Sequence, residues 1–246
     1  MDNVRIFVGY DPREAIAYHV FAQSVIEHSS VPVSLVPLAA GMLGKFNGQR
    51  DGSNAFTFSR YLIPYLCDFI GWAIFCDGDM VVTRDIVELW NEKEHMVFNK
   101  AVALVKHDYK TRHPRKYVGT TLESRNIDYP RKNWSSVVLW NCSHAANKVL
   151  TPEYVGDKSG DFLHRFQWLS DDQIASLPPE WNVLVREDPP SGGALFHYTL
   201  GIPGFDYYKD DYGSWHWHGS LVRALRCGRD KPSTVVKRAE ERVGGV

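Results

Sequence analysis

Apolar residues fall in short unbroken runs divided by polar turns, and between several runs the spacing changes to the three- and four-residue period of helices. Val4 to Gly9 is a β-rich run interrupted by Arg5, ending at a glycine and followed by Tyr10-Asp11-Pro12 and then by Ala15, Tyr18, Phe21, Ala22 and Val25. This predicts strand, turn and helix. Asp11 before Pro12 predicts an N-cap with proline in the first turn, which leaves Gly9 and Tyr10 at the strand's carboxyl end. A second strand is predicted over 33–38, and a helix carrying Arg60 and Tyr61 over 56–69, kinked or cut short at Pro64. Trp72 to Cys76 is apolar at every position, as expected of a central strand covered on both faces. It stops abruptly at Asp77-Gly78-Asp79.

Further along, the pattern predicts a short helix over 85–90, a buried strand over 101–105 and a strand over 134–140. Ser143 is placed as the cap of a short helix through Leu150. Partial helix is predicted between Asp161 and Leu177, and strands over 182–185 and 194–198. Two stretches lack periodicity. Residues 41–54, with Lys45 and Arg50, are glycine-rich and polar, the composition of a surface loop or a mobile substrate lid. Residues 107–132 are polar, basic and tyrosine-containing, a long connection suited to carrying acceptor specificity. Strands alternating with helices predict an α/β fold with a Rossmann-like, mainly parallel central sheet flanked by helices. Its ligand site is expected beyond the carboxyl ends of the strands.

Composition narrows the function. The 246 residues, 44% hydrophobic, suffice for one large domain, and neither an internal repeat nor a linker divides the chain. A formal net charge of -1 gives no basis for a nucleic-acid partner. The chain has no run of about 18 apolar residues, and Met1 to Arg5 leads straight into a strand-like segment, so a soluble, unexported, cytoplasmic protein is expected. Cys67, Cys76, Cys142 and Cys227 lack zinc or redox spacing and read as reduced thiols. Eight tryptophans and twelve tyrosines suit stacking on sugars or bases as well as ordinary packing.

Asp77-Gly78-Asp79 carries the candidate chemistry. Two hard oxygen ligands on a tight turn after a buried strand can hold Mg²⁺ or Mn²⁺ while leaving positions open for phosphate oxygens. A solvated acidic turn is the plainer reading of the tripeptide alone. The surrounding residues resemble glycosyltransferase family 8, which contains glycogenin and bacterial lipopolysaccharide galactosyltransferases. Phe75-Cys76-Asp77-Gly78-Asp79-Met80-Val81-Val82 is similar to that family's metal-binding Asp-X-Asp strand end, and Phe58-Ser59-Arg60-Tyr61-Leu62-Ile63-Pro64 to its arginine-containing helix. Ser135-Ser136-Val137-Val138-Leu139-Trp140-Asn141 resembles its central strand, Asp171-Asp172-Gln173 its acidic-glutamine motif, and Phe196-His197-Tyr198-Thr199-Leu200-Gly201 its C-terminal histidine segment. They occur in the family's order.

The resemblance implies a single GT-A domain over 1–246, with a nucleotide-sugar-binding half over 1–106 and an acceptor-side half over 107–246 that ends in a small C-terminal subregion. It implies a retaining hexosyl transfer from a nucleotide-diphospho-sugar to a glycan or glycolipid, with Asp77, Asp79 and His197 around Mn²⁺ or Mg²⁺. Uridine diphosphate is the family's usual carrier; guanosine diphosphate stays open. Val8, Gly9, Tyr10, Arg60, Gly78, Ser135 and Ser136 are implied donor contacts, and Asp172 and Gln173 are implied catalytic residues beside the sugar, Gln173 near the anomeric carbon. Each has a plainer reading: a structural histidine, an arginine paired with Asp68 or another carboxylate, a packed tyrosine, a helix-start acidic cluster.

Two departures stand out. Trp134-Ser135-Ser136 replaces an Asn-Ala/Ser-Gly pattern, and Ile202-Pro203-Gly204 stands where a Lys-Pro-Trp with a diphosphate-binding lysine is usual, leaving Lys209, Lys45 or Arg60 as substitutes. The tail holds Trp215-His216-Trp217-His218 and an excess of arginine and lysine, which favours peripheral docking on anionic lipid or a packed, solvated basic helix. A sugar nucleotidyltransferase and a noncatalytic carbohydrate-binding protein are the alternatives. The first lacks its glycine-rich basic phosphate loop here.

Overall fold

A computed structural model describes residues 3–39, 56–97 and 99–226. Its strands in chain order are β1 (Val4–Gly9), β2 (Val33–Leu38), β3 (Trp72–Cys76), β4 (Met80–Val82), β5 (Val102–Leu104), β6 (Arg115–Lys116), β7 (Ser124–Arg125), β8 (Val137–Asn141), β9 (Ile174–Ser176), β10 (Val183–Leu184) and β11 (Leu195–His197). The helices are α1 (Ala15–Glu27), α2 (Ile63–Leu66), α3 (Ile86–Asn91), α4 (Pro152–Asp157), α5 (Gly160–His164) and α6 (Ser214–Ala224).

The central sheet has six strands in the order β2-β1-β3-β8-β5-β9, and only β8 runs against its neighbours. Successive β3 residues explain the unbroken apolar run: Ala73 and Phe75 face one core with Phe7, Val102 and Val138, while Ile74 and Cys76 face another with Val8, Ala103 and Val137. Both faces are dry, so every position is apolar. Two of the long helices are adjacent in space: α1 packs against α6 at the end of the described chain, joined by the ion pair of Arg223 with Glu27.

Asp11 caps the first helical turn as expected, accepting from Arg13 N at 3.0 Å. Elsewhere the local readings shift. Residues 56–69 form a 3₁₀ turn (Ser59–Leu62) followed by the four-residue α2 with Pro64 in its first turn, not one helix. Ser143 is not a cap: its Oγ accepts from Gly71 N across the fold, and His144 caps the 145–149 turn through its Nδ1. The 134–140 strand begins at Val137, because Trp134 to Ser136 turn out of a left-handed Asn133. Between 161 and 177 lies the unpredicted edge strand β9. The 41–54 reading falls outside the described residues, as does Cys227; Cys67, Cys76 and Cys142 are buried free thiols.

The 107–132 connection contains only the two-residue hairpin β6/β7. It is held instead by buried side chains: Asn126 Nδ2 donates to Thr111 Oγ1 and to His113 O, each at 2.8 Å, and Lys132 Nζ donates to Asn126 Oδ1 at 2.7 Å. Such bonds satisfy a segment that no ladder pairs.

Candidate functional site

Gly9, Asp77 and Val105 stand at or just beyond the carboxyl ends of β1, β3 and β5. Asp77 is fixed from below by its own N–H, which donates to Ser136 O at 2.9 Å. After Asp79 the chain enters β4, which pairs antiparallel with β11 in a register that sets Met80 opposite His197. Tyr198 N also donates to Asp79 O at 2.9 Å. This second sheet brings His197 to the acidic turn: its Nε2 lies 3.4 Å from Asp79 Oδ1 and 3.9 Å from Asp77 Oδ2. One ligand atom from each of the three residues falls within 4.8 Å of the others. Gly78 leaves no room for a side chain, since a Cβ there would collide with Gly9 O.

The cluster is buried and its charges are incompletely answered. Burial pushes the Asp77 carboxyl up, opposed chiefly by Arg60, whose Nη1 stands 2.9 Å from Asp77 Oδ1. Burial likewise penalises the Asp79 carboxylate, but His197 and Lys116 bring it below the usual range. His197 Nδ1 lies 3.0 Å from Asn182 Oδ1. The Asn182 amide is oriented by its Nδ2, which donates to Asn133 O at 3.4 Å. Asn182 thereby claims Nδ1 and leaves Nε2 as the ring nitrogen turned to the carboxylates. Asp79 Oδ1 is a buried oxygen without a hydrogen-bond donor. Two hard carboxylates, one with an orphaned oxygen, and an imidazole Nε2 turned towards them fit Mn²⁺ or Mg²⁺.

Arg60 does not reach outward to a surface carboxylate such as Asp68. Its guanidinium lies between the Phe56 and Phe75 rings at 5.1 and 4.9 Å and donates from Nη1 to Ser135 O at 2.9 Å. Ser135 Oγ is 2.7 Å from His164 Nδ1, which also meets the Tyr61 hydroxyl at 2.9 Å. Burial, with Arg60 and Lys116 nearby, lowers His164 to about 3 and keeps it neutral. The side chains of Arg60, Ser135 and Ser136 are thus engaged in building the floor of the site. Val8 lies inside the sheet, paired with both β2 and β3; Tyr10 packs edge-on to Tyr18 at 5.8 Å, and the Phe56 ring covers Gly9.

Asp172 and Gln173 are not brought to this cluster. Gln173 O accepts from Ala101 N, whose own carbonyl accepts from Asn141 N, and Asn141 pairs with Trp72 at the amino end of β3. The length of β3 separates the two places, roughly 16 Å at about 3.3 Å per residue. Gln173 Oε1 closes a capping box on Ser170 N at 3.1 Å, and Asp172 Oδ2 accepts from Asn99 Nδ2 at 3.3 Å on the surface. The reading as a helix-start acidic cluster describes them in this structure, which does not bring them to Asp77, Asp79 and His197.

A cavity of about 680 Å³ opens between the 107–132 connection and α5, lined among others by Thr57, Lys116, Tyr129, Lys132, Asp161 and His164, while Gly78 and Asp79 border a separate, much smaller one with Gly9, Glu14 and Phe56. Of the substitutes for the missing lysine, Arg60 is paired with Asp77, Lys45 lies outside the described residues, and Lys209 ends the 206–208 turn with its carbonyl bonded by His218. The lysine beside the cluster is Lys116, whose charge Asp79 and Asp77 act upon. Neither Lys116 nor Asn182 carries a local signal; each is placed by contacts across the chain. In α6, Trp217 and His218 are buried and His216 stacks on Phe196, so this quartet is mainly packing, with Trp215 exposed.

No family model matches the chain. It is 44% identical over 219 residues to Protein CDI of Arabidopsis thaliana, covering 84% of this chain and 81% of that protein. Among solved structures, the bifunctional glycosyltransferase WbbM superposes with a TM-score of 0.65 at 15% identity over 98% of this chain and 51% of WbbM, so the chain spans about half of that protein's length. The galactosyltransferase LgtC, solved with donor and acceptor sugar analogues, gives a TM-score of 0.58 at 13% identity over 92% of this chain and 98% of LgtC. Mouse xyloside xylosyltransferase 1 gives 0.53 at 10% identity over 82% and 100%. The shared architecture is the GT-A glycosyltransferase fold.

Proposed function

Because the chain belongs to the family of the Arabidopsis Protein CDI and has a GT-A fold, we propose that it is a metal-dependent, retaining hexosyltransferase of the family 8 kind. It takes a nucleotide-diphospho-sugar, with uridine diphosphate as the expected carrier, and a glycan or glycolipid acceptor. The observation that carries this reading is the buried Asp77, Asp79 and His197 cluster with its orphaned Asp79 oxygen. The chemistry a divalent cation supplies there is neutralisation of the charge developing on the departing diphosphate.

The protein's own residues prepare that event. Arg60 and Ser136 fix Asp77, and Asn182 fixes His197. The Gly9 and Gly78 backbones pack against each other, which fixes the acidic turn on the end of β1. The cavity bordered by the 107–132 connection is the acceptor's place. With Gln173 remote, same-face attack by the acceptor hydroxyl, its proton passing to the leaving phosphate, needs no enzyme nucleophile. A cytoplasmic site of action with lipid docking by the basic tail belongs to the same proposal. No helix among the described residues is long and apolar enough to cross a membrane, and of the tail's cations Arg223 is paired with Glu27.

The test is calorimetric titration of UDP and GDP, with and without Mn²⁺, into the protein and an Asp79→Asn variant, followed by a sugar-transfer screen with the base that binds. Metal-dependent binding lost in the variant, with turnover of a donor, supports the reading. Folded protein that binds neither nucleotide overturns it, and sugar binding without turnover favours the noncatalytic carbohydrate binder.

A further inference from the structure

Lys116 lines the cavity, and the charges of Asp79 and Asp77 act on it. Its ammonium has three N–H donors but makes one hydrogen bond, to Thr199 Oγ1 at 3.3 Å, and no carboxylate among the described residues forms an ion pair with it. It is nevertheless held in place. Lys116 pairs with Ser124 in the β6/β7 hairpin, Tyr117 N donates to Leu200 O at 2.6 Å, Tyr117 Oη donates to Glu14 Oε1 at 3.3 Å, and Val118 N donates to Tyr208 Oη at 2.9 Å. These contacts join the hairpin to the N-terminal and the C-terminal parts of the site at once. A flexible cation is thereby carried by a fixed backbone.

The surroundings select an anion. Half-buried Lys116 lines the cavity beside Lys132 with one hydrogen bond made, and burial and Lys132 lower its ammonium while Asp79, Asp77 and Glu187 hold it up. A ligand anchored on Asp77, Asp79 and His197 through a cation would bring its phosphate oxygens to the side of the cluster that Lys116 borders.

We propose that Lys116 is a diphosphate-binding residue, its ammonium holding the phosphate next to the sugar. This rests on the donor reading above. In the transfer, the bond from the anomeric carbon to the phosphate oxygen breaks and its electron pair stays on that oxygen. The acceptor hydroxyl oxygen bonds to the anomeric carbon and its proton passes to the phosphate. Lys116 stays protonated throughout and answers the charge that appears.

The experiment titrates Mn²⁺ alone, then UDP, GDP, UMP and GMP with Mn²⁺, into the protein and its Lys116→Met and Lys116→Arg variants, with folding checked by near-ultraviolet circular dichroism. Loss of one charge-assisted contact is expected to weaken the nucleoside diphosphate about 10- to 100-fold in Lys116→Met, with the monophosphate changed by less than about 2-fold. Mn²⁺ alone should bind as well or more tightly, and Lys116→Arg should recover much of the loss. Folded Lys116→Met that binds the diphosphate like the parent overturns the assignment to Lys116 and leaves the donor reading standing; a parent that binds Mn²⁺ but no nucleoside diphosphate overturns both. Should Lys116→Met not fold, pyridoxal 5′-phosphate with borohydride is applied to the parent protein. Labelling of Lys116 that a nucleoside diphosphate with Mn²⁺ prevents, but the monophosphate does not, supports the proposal; a label on Lys116 that the diphosphate does not prevent, or no label there, overturns it.

Discussion

Asn182 Oδ1 meets His197 Nδ1 at 3.0 Å, and through that bond an amide fifteen residues upstream decides which imidazole nitrogen faces Asp77 and Asp79. Asn182 is fully buried and sits in the 179–182 turn just before β10, while His197 ends the adjacent β11. Removing the amide frees the ring to rotate and to change tautomer. Asn182→Ala is expected to lower Mn²⁺ affinity about 10- to 100-fold, the range typical of the partner behind a metal-bound histidine. Titration of Mn²⁺ into the variant checks this; unchanged affinity would mean that His197 is oriented by its strand alone.

Asp77 and Asp79 differ in what they leave behind. Both are expected to be needed for metal-dependent nucleotide binding, but only Asp77 is in ion-pair contact with the buried Arg60. Breaking a buried pair by removing one partner typically costs about 3–5 kcal/mol, because the remaining charge is stranded. Asp77→Asn should therefore lose metal binding and stability together. Asp79→Asn should lose metal binding with stability changed by about 1 kcal/mol or less, since no buried cation is in contact with it to be stranded. Urea unfolding in a chelating buffer separates the two; equal losses would show that Arg60 tolerates an amide partner.

The parts of this site that were legible in the sequence are those written locally. The unbroken run from Trp72 to Cys76 and its stop at Asp77 announce a central strand and its ligand end. Asp11 before Pro12 announces a cap. His197 needed the ordered motifs, because a histidine in an apolar strand has no sign of its own; what places it is the Met80 register of β4 with β11. Lys116 and Asn182 were invisible for a similar reason. Lys116 reaches Thr199 across 83 residues, and nothing in a basic, irregular stretch says which lysine will do so. Ser143 misled because a hydroxyl before a short helix is usually a cap, whereas here Gly71 N claims it across 72 residues.

Glu14 gives the metal-free protein a pH dependence opposite to that of an ordinary salt-bridged carboxylate. Burial, then the charges of Asp79 and Asp11, raise it from 4.5 to about 8. A folded-state pKa above the unfolded one means that the folded chain keeps a proton the unfolded chain has released, so this contribution is complete below about pH 4.5 and is lost as pH rises through about 8. Glu14→Gln copies the protonated acid at every pH. In chelating buffer the variant should match the parent near pH 5 and exceed it at pH 8.5 by a few kcal/mol at most, read from urea midpoints. A constant difference between variant and parent across that range would show that Glu14 titrates normally.

Motif order sends Asp172 and Gln173 to the sugar, whereas the fold holds Gln173 level with Ala101 at the other end of the sheet. Gln173 is tied to Ser170 through both backbone and side chain, and β9 beyond it runs parallel to β5. To face an anomeric carbon at Asp77 it would have to abandon the capping box and cross the length of β3. Gln173→Ala should therefore cost stability, about 1 kcal/mol for a lost cap, and leave Mn²⁺ binding and the rate of sugar transfer within about 3-fold of the parent. Asp172→Asn, altering an exposed carboxylate bonded to Asn99, should change neither. A fall in transfer rate of about 100-fold or more in folded Gln173→Ala would reinstate the motif's implication. It would require the 170–176 segment to move to the metal cluster when donor binds, a rearrangement that hydrogen exchange at Ile174 and Ala175 would then report.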